Sequence, residues 1–505
     1  SMSLQRNVLA SLASQLYVTL VGILMVPLYL RYMGAEAYGL VGFFTMLQLW
    51  FGLLDAGLTP TLARETARQR GGATDAVTYR RLVRALETIF LAVALAGGVA
   101  IVAAGEAIAT RWLQSSRLAV GEVVGAIQLM GPIFALRWMA GLYRSALTGA
   151  ERLQWLGGFN AAVATLRFAG VLPLLMFVGT SPTLFFGYQL AIAALETGWL
   201  ATQAYRCFPL LPPATRLGLH WKPLRPVLRF SLSIALTSAV WILITQTDKL
   251  VLSRVLPLAE YGYFTLAVLV AGAILLLSGP IGNAITPRLA RLEAEGAHDQ
   301  LIRIYRQGTQ GVAVIAGAMA ITFAFAAEPL LWAWTGDREL ARTCAPILGL
   351  YALGNGVLAV AAFPYYLQFA KGSLRLHVIG NVAFAVLFVP IVVVASLRWG
   401  ALGAAWVWLG MNLLSLVAWL PLVHHRFEPG LNARWYTQDT LFIAAAAALA
   451  GGAAAAFWPD GGSRAHALAG TSLVGGASLA AAAAASSAMR ERARSLWRGW
   501  RPACA

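Results

Sequence analysis

The sequence YLRYMGAEAYG at residues 29–39 marks a corner, where a long apolar run ends, a short polar turn follows and another apolar run begins. A similar corner, LSRVLPLAEYG, returns at residues 252–262. The residues that match between the two corners are Arg31 and Arg254, Tyr38 and Tyr261, and Gly39 and Gly262. A corner that appears twice in one chain suggests an internal duplication.

The composition places the chain in a membrane. Of its 505 residues, 59% are hydrophobic and only 12% are charged, whereas soluble globular proteins carry about 25% charged residues. Apolar stretches of roughly 20 residues, each able to cross a hydrocarbon core of about 30 Å, follow one another along the chain. Short alternating segments typical of a β-barrel are not evident. We therefore predict an all-α polytopic membrane protein with about fourteen transmembrane helices.

Further matches at nearly the same offset extend the duplication. The tripeptide LAR recurs at 62–64 and 289–291. Tyr143 and Asn160 match Tyr365 and Asn381. Four matches in one order predict two six-helix lobes followed by two extra helices. Because six is an even number, both copies run the same way through the membrane, and a parallel pseudo-two-fold repeat of this kind is typical of transporters.

The proline-rich stretch CFPLLPPATRLGLHWKPLRP, which begins at Cys207, resists helix continuation and marks the boundary between the lobes. The predicted organisation is an N-terminal lobe at 1–206, a cytoplasmic linker at 207–227, a C-terminal lobe at 228–426, and an extra helix pair with a basic cytoplasmic tail at 427–505.

The formal net charge of +17 follows the topology. If the N-terminus is cytoplasmic, most of the 38 Lys and Arg residues fall in cytoplasmic segments, which is the positive-inside bias. This pattern predicts that both termini are cytoplasmic. It favours attraction to anionic lipid over nucleic-acid binding.

Four segments of the chain resemble a known family. They are PLYLRYMGAEAYG at 27–39, LLDAGLTPTLARETAR at 53–68, YRSALTGAERLQWLGGFN at 143–160 and TDKLVLSRVLPLAEYG at 247–262. They are similar to the polysaccharide transporter family, the Wzx-type flippases of lipid-linked oligosaccharides such as O-antigen units. This family lies within the multidrug/oligosaccharidyl-lipid/polysaccharide superfamily. The extra helix pair resembles the layout of the fourteen-span lipid II flippase.

The resemblance implies a function and its partners. Two lobes would enclose a cavity with alternating access, through which an undecaprenyl-pyrophosphate-linked oligosaccharide moves from the cytoplasmic to the periplasmic leaflet. It also implies cationic side chains along the cavity, coupling to a proton or sodium gradient, a place in the bacterial inner membrane, and contact with membrane lipid. Other membrane proteins of polysaccharide assembly are possible partners.

Charged residues within the predicted spans need a physical reason, because each costs about 2.5–3.5 kcal/mol on insertion scales. Arg137 and Arg144 are seven residues apart, hence on one face of a helix, and Arg167 lies near the middle of the next span. Their guanidinium groups suit pyrophosphate oxygens. The alternative is pairing of Arg137 or Arg167 with Glu196, which would hold helices together. Arg144, near a span end, has the further option of snorkelling.

Three acids are candidates for ion coupling: Glu196, Asp55 and Asp248. A buried carboxyl group has a raised pKa and exchanges a proton near neutral pH. For Asp55 we favour a cap or kink-supporting role, because Gly57 and Pro60 loosen the helix there. Asp248 and Lys249 point about 100° apart on a helix and so do not necessarily pair.

Four uncharged polar residues complete the candidate substrate site. Tyr143 and Tyr365 occupy matching places where a cytoplasmic gate would close, and Gln128 and Gln189 lie within spans. The alternative for the glutamines is helix–helix hydrogen bonding. Interfacial anchoring is the commoner use of tyrosine and tryptophan in membranes.

The sequence shows no pattern for soluble-enzyme chemistry. There is no Walker loop and no HExxH motif, and Cys207, Cys344 and Cys504 have no metal-ligand spacing. We therefore predict no cofactor, no metal and no enzyme activity. Two alternatives are a cation-coupled small-molecule efflux antiporter, which needs uncompensated acids, and a glycosyltransferase or polymerase, which needs paired carboxylates in an external loop such as 328–340.

Overall fold

The computed structural model describes residues 2–211, 218, 220–458 and 462–499, and helices account for nearly all of them. The helices are α1 (Met2–Met33), α2 (Ala35–Phe51), α3 (Leu58–Arg70), α4 (Ala76–Ala107), α5 (Val120–Gly149), α6 (Leu153–Ala164), α7 (Leu172–Phe177), α8 (Pro182–Cys207), α9 (Leu224–Val255), α10 (Leu258–Ala294), α11 (His298–Thr335), α12 (Arg338–Ala361), α13 (Phe363–Ala370), α14 (Arg375–Leu414), α15 (Leu420–Phe427), α16 (Leu431–Arg434), α17 (Phe442–Phe457), α18 (Arg464–Ala485) and α19 (Ser487–Gly499). The predicted all-α class is confirmed. Cys504 and the end of the predicted basic tail lie outside the described residues.

Within the described residues, thirteen helical stretches are long and apolar enough to cross a membrane. One of them, Arg375–Phe427, has 53 residues and would be about 80 Å long if it were straight. It bends sharply at Gly400, whose φ of 59° and ψ of −144° suit glycine. A methyl group on Gly403 would overlap the carbonyl of Ala395, so the chain folds back at this bend. The stretch therefore supplies two of the fourteen predicted spans.

The chain divides into two compact units, Ser1–Gly262 and Tyr263–Ala505. This division places α9 in the first unit, whereas the predicted boundary between the lobes lies in the linker at 207–227. Residues 212–217 and 219 of that linker lie outside the described part of the chain. The two lobes stay a prediction from the sequence repeat.

In the first unit, the two repeated corners meet. The corner at 29–39 turns at Gly34, whose φ of 85° suits glycine. Gly39 and Gly262 pack so closely that a methyl group on Gly39 would overlap the Leu258 carbonyl, and one on Gly262 would overlap that of Ala35. The glycines that reveal the duplication therefore mark a helix crossing where only a hydrogen fits.

The same corner is fixed by a buried acid. The carboxylate of Glu36 accepts hydrogen bonds from the backbone N–H groups of Ser116, Arg117 and Leu118 and from the Ser116 hydroxyl. These donors precede α5, so Glu36 connects α2 to the start of that helix. Helix α5 then packs against both α4 and α8, which places many of its side chains in the interior of the first unit.

In the second unit, a buried polar network attaches the extra helices. Asp439 accepts hydrogen bonds from Arg306, at 2.7 and 3.0 Å, and from Gln310, at 2.6 Å. The side-chain oxygen of Gln310 accepts from the Ser486 hydroxyl and the Ala488 backbone N–H. Because buried polar groups are costly unless they are paired, this network holds α11, the π-helical turn Trp435–Leu441 and the start of α19 together.

Ion pairs also join three connecting segments of the second unit. The ammonium of Lys371 lies 3.2 Å from a carboxylate oxygen of Glu293 and 2.9 Å from one of Glu428. Burial opposes the charge of Lys371, but hydrogen bonds to Glu428 and Glu293 raise its pKa above the ordinary value. His298 contacts the other oxygen of Glu428 at 3.2 Å. The cluster ties the ends of α10, α13 and α15 together.

A candidate anion-binding cavity in the first unit

Glu196 bridges two arginines from two other helical segments. One of its oxygens accepts a hydrogen bond of 2.5 Å from Arg144 on α5, and the other accepts one from Arg167. Its side chain is 3% exposed, whereas those of Arg144 and Arg167 are 37% and 22% exposed. The predicted alternative paired Glu196 with Arg137 or Arg167. The structure has the Arg167 pair and adds Arg144, which therefore does not simply snorkel.

Arg167 lies in a π-helical turn, Thr165–Ala169, which follows α6. A π turn displaces the regular hydrogen-bond ladder, and such turns are frequent at functional sites. Three side chains donate to successive carbonyls of the turn: Tyr188 to Leu166 at 2.7 Å, Gln189 to Arg167 at 2.9 Å and Tyr29 to Phe168 at 2.5 Å. These donors from α1 and α8 fix the direction of the Arg167 side chain. No feature of the sequence predicts this turn.

Arg137 is held by amides. Its terminal nitrogens donate to the side-chain oxygens of Gln48, at 3.2 Å, and Gln189, at 3.0 Å. Its guanidinium also lies over the ring of Phe44, with 5.4 Å to the ring centroid. Within the described residues, no carboxylate forms a salt bridge with Arg137. Gln189 therefore joins Arg137 to the backbone of Arg167.

A cavity of about 530 Å³ opens beside the Glu196 cluster. Its walls come from α1, α5, α6 and α8, and Arg144, Arg167 and Glu196 all reach it. Its other polar lining residues are Ser14, Gln15, Thr19, Thr148 and Asn160. Asn160 belongs to the repeated motif, so one repeat position faces this cavity. Pockets of about 300–1,000 Å³ are large enough for small ligands.

The site has unused hydrogen-bond donors. The Nε atoms of Arg137, Arg144 and Arg167 are buried and find no acceptor among the described residues. Three arginines and one glutamate leave a formal charge of +2 in the cluster. Buried donors without acceptors are costly, and attraction between charges is stronger away from water. An anion with several oxygens in the cavity would satisfy donors of the two lining arginines and balance the charge.

The other predicted coupling acids lie elsewhere in the first unit. Asp55 accepts hydrogen bonds from the backbone N–H of Thr59, at 3.2 Å, and from its hydroxyl. It thus caps the start of α3, which is the role that we favoured from the sequence. Asp248 is 1% exposed, and its carboxylate lies 3.2 Å from the ammonium of Lys249. Although the two residues diverge on α9, the lysine side chain is long enough to curl back.

The remaining predicted site residues are not gathered in the cavity. The Tyr143 hydroxyl donates to Glu87 at 3.2 Å, and Tyr205 donates to the same carboxylate at 2.5 Å. Tyr365, in the second unit, contacts the ring of His377 at 4.4 Å between centroids. Gln128 is exposed on α5. Within the described residues, no group of three or more His, Cys, Asp or Glu side chains is arranged to hold a metal ion.

Comparison with known proteins agrees with these observations. A family model described as "Polysaccharide biosynthesis protein" matches residues 4–293, more than half of the chain. No curated protein sequence matches the chain. A solved structure of the lipid II flippase MurJ in an inward closed conformation superposes with a TM-score of 0.72 at 13% identity, covering 97% of this chain and 100% of that one.

Two further solved structures share the fold. An inward-facing multidrug resistance MATE transporter of the MOP superfamily has a TM-score of 0.66 at 13% identity, covering 82% of this chain and 94% of its own. A MOP superfamily transporter from Pyrococcus furiosus has a TM-score of 0.55 at 13% identity, with coverages of 84% and 95%. The chain belongs to the polysaccharide biosynthesis protein family, and it shares its fold with MurJ and with transporters of the MOP superfamily.

Proposed function

We propose that this protein is a flippase that moves an undecaprenyl-pyrophosphate-linked oligosaccharide, such as an O-antigen unit, from the cytoplasmic to the periplasmic leaflet. The observation that carries the proposal is the pair Arg144 and Arg167 at the wall of the 530 Å³ cavity. Both guanidiniums keep a buried Nε donor that has no acceptor in the described part of the chain, and a guanidinium matches the geometry of phosphate oxygens. The family match supports a glycan as the cargo.

Glu196 would act as the internal counter-anion when cargo is absent. It occupies one terminal nitrogen of each arginine. A diphosphate that draws the arginines away would leave the carboxylate free to take a proton or a sodium ion. This exchange would link cargo binding to an ion gradient. Asp55 and Asp248 are weaker candidates for coupling, because the first caps a helix and the second lies beside Lys249.

The charge of the site argues against the two alternatives. A pump for cationic drugs needs an acid without a counter-charge, whereas Glu196 has two arginine partners. A glycosyltransferase needs paired carboxylates. In the segment 328–340, which forms the end of α11 and the start of α12, Glu328 pairs with Arg342, and Asp337 caps α12 by accepting from the N–H groups of Glu339 and Leu340. Transport of an anionic lipid-linked glycan fits these contacts better.

The decisive experiment measures flipping in proteoliposomes. Protein is reconstituted with a fluorescent undecaprenyl-pyrophosphate oligosaccharide, and a membrane-impermeant quencher reports how much label has changed leaflet. Arg144→Gln and Arg167→Gln should each slow flipping at least about tenfold, since a hydrogen bond to a charged group contributes about 1.5–3 kcal/mol. Arg167→Lys, which keeps the charge but loses the planar fork, should fall between them and the wild type.

Arg70→Gln is the matched control, because Arg70 is exposed at the end of α3 and far in sequence from the cavity segments. It should flip lipid at the wild-type rate. Thermal unfolding of each variant tests whether it folds. Normal flipping by both folded Gln variants, or no flipping by the wild type with any lipid-linked oligosaccharide, would refute the proposal. Unchanged rates after collapse of both gradients would refute the coupling alone.

A further inference from the structure

A second cavity, of about 350 Å³, lies in the second unit between α11, α12, α17 and α18. It forms where α11 bends at Ala326, whose φ of −122° and ψ of 22° are not helical, shortly before Pro329. Its chemistry-bearing lining residues are Glu328, Trp332, Arg338, Arg342, Trp458 and His466. The sequence-based topology places this end of the helices outside the cytoplasm. None of these residues belongs to the cavity of the first unit.

The walls of this cavity are fixed by contacts outside it. Arg464, at the start of α18, donates to the backbone carbonyls of Ala333, at 2.8 and 3.0 Å, and Trp334, at 3.2 Å. The indole of Trp458 packs against Gly470 so closely that a methyl group there would overlap its nitrogen. The extra helix pair is thereby attached to the end of α11, and the cavity is preformed.

Aromatic faces and hydrogen-bonding groups alternate around the cavity. The guanidinium of Arg338 lies 4.1 Å from the centroid of the Trp332 ring, and the Trp458 and His466 rings lie 4.7 Å apart. The Nε1 donor of Trp458 is buried and has no acceptor among the described residues. Arg342 and Glu328 form a pair of 3.3 Å whose side chains are 70% and 52% exposed, so both can be reached by a ligand.

The charged lining residues are one acid, Glu328, and two arginines, Arg338 and Arg342. Arg342 is paired with Glu328, and Arg338 lies over the Trp332 ring, whereas a phosphate site needs a field of uncompensated positive charge. This arrangement favours an uncharged ligand rich in hydroxyl groups. The C–H faces of a sugar ring pack on indole rings, while its hydroxyls both donate to a carboxylate and accept from guanidinium N–H groups.

We propose that this cavity binds saccharide rings and holds the glycan part of the cargo at the exit side of the membrane. The inference rests on the proposed function for the origin of the glycan, but the pocket itself is tested without transport. Trp332 and Trp458 supply the packing surfaces, and the exposed side chains of Arg342 and Glu328 bind hydroxyls. A sugar held here would be slow to return through the protein.

The test uses the full-length protein in nanodiscs of zwitterionic lipid. An array of oligosaccharide fragments from bacterial surface polysaccharides, without lipid or diphosphate, identifies the fragment that binds best, and saturation-transfer NMR measures its Kd. We expect a Kd on the order of 1 mM, equivalent to about −4 kcal/mol. Trp458→Leu should abolish binding, and Arg342→Gln should weaken it at least about tenfold.

Trp399→Leu is the matched control, because Trp399 is a 65% exposed tryptophan of the same unit that does not line this cavity. It should bind like the wild type. If Trp458→Leu fails to fold, Arg342→Gln decides, since its exposed side chain is not needed for packing. The absence of any binding fragment, or equal binding by both pocket variants, would overturn the proposal.

Two other outcomes are distinguishable. Native mass spectrometry that finds an anionic phospholipid bound at the cavity and lost in Arg342→Gln, with no sugar bound, would overturn the saccharide pocket. Failure of the wild type to flip lipid-linked oligosaccharides while fragments still bind would instead refute the proposed function and leave the pocket standing.

Discussion

Corresponding positions in the two halves of the chain have opposite chemistry. At offsets of 221–222 residues the pairs are Arg144 and Tyr366, Arg167 and Phe388, and Glu196 and Ala418. In the first unit these residues form the charged cluster beside the cavity. In the second unit the residues at the matching positions are aromatic or small.

Two of the second-unit counterparts, Tyr366 and Phe388, pack closely against neighbouring residues. Tyr366 packs against Gly282 so tightly that a methyl group there would overlap its ring. Phe388 is fully buried and contacts the rings of Phe384, at 5.6 Å, and Trp408, at 5.8 Å, between centroids. If the predicted repeat is correct, the same places in the two copies hold either charged or aromatic side chains. The fold would then not require charge at these positions.

The largest effect is expected from exchanging a charged residue of the first unit with its aromatic counterpart in the second. Phe388→Arg removes a buried ring and strands a charge without a partner, which should cost more than about 5 kcal/mol and prevent accumulation of the protein. The reverse exchange, Arg167→Phe, leaves Glu196 paired with Arg144, so the protein should accumulate but no longer flip lipid. Abundance in purified membranes and the proteoliposome assay measure the two results.

Phe388→Leu serves as the control for the lost ring, and it should accumulate nearly as well as the wild type. If Phe388→Arg accumulates normally, the second unit has room for charge and the contrast between the halves is wrong.

A smaller effect is expected from removing the acid of the cluster. Glu196→Ala leaves two partly buried arginines without their counter-charge and should lower stability by about 3–5 kcal/mol. Glu295→Ala removes the acid of an exposed pair, in which Arg291 and Glu295 are 66% and 52% exposed, and should cost less than about 1 kcal/mol. Thermal unfolding in detergent compares the two variants. Equal shifts in Tm would mean that the Glu196 cluster is solvated like a surface pair.

The smallest effect is expected from filling the space at Gly39, one of the glycines that the two repeated corners share. Gly39→Ala places a methyl group against the Leu258 carbonyl and should destabilise by about 1–3 kcal/mol through overpacking. Gly121→Ala is the control, because that glycine has open space around it in α5, and it should be neutral or slightly stabilising. The same unfolding measurement applies. A neutral Gly39→Ala would show that the corner relaxes easily and that close packing does not explain the repeated glycines.

The sequence predicted the all-α class and a long series of apolar spans, because both depend on apolar length and composition. As the alternative to substrate binding, it also offered a pair between Glu196 and Arg137 or Arg167. It did not indicate that Arg144 would join Arg167 on Glu196 in place of Arg137, since Arg137 and Arg144 share one face and helical periodicity alone does not say what that face contacts. The choice depends on Gln48 and Gln189, which hold Arg137, and on the π turn that directs Arg167.

Two further features were not predicted from the sequence, because they depend on side-chain length or on residues far apart in the chain. The separation of Asp248 and Lys249 on a helical wheel describes the directions of their Cβ atoms, but the long lysine side chain reaches both Asp248 and the Thr245 carbonyl. The cavity beside Trp458 depends on the break at Ala326 and on residues more than 100 positions apart. Neither feature leaves a periodic signal in the sequence.

The Glu196 bridge has a consequence for how the protein is made. Ribosomes synthesise the chain from its N-terminus at about 5–20 residues per second, so Arg167 emerges 29 residues, and Arg144 52 residues, before their shared acid. For some seconds both arginines therefore lack their counter-charge. The helices that carry them should remain at the insertion machinery until α8 is synthesised. These helices and α8 would then enter the lipid together rather than one at a time.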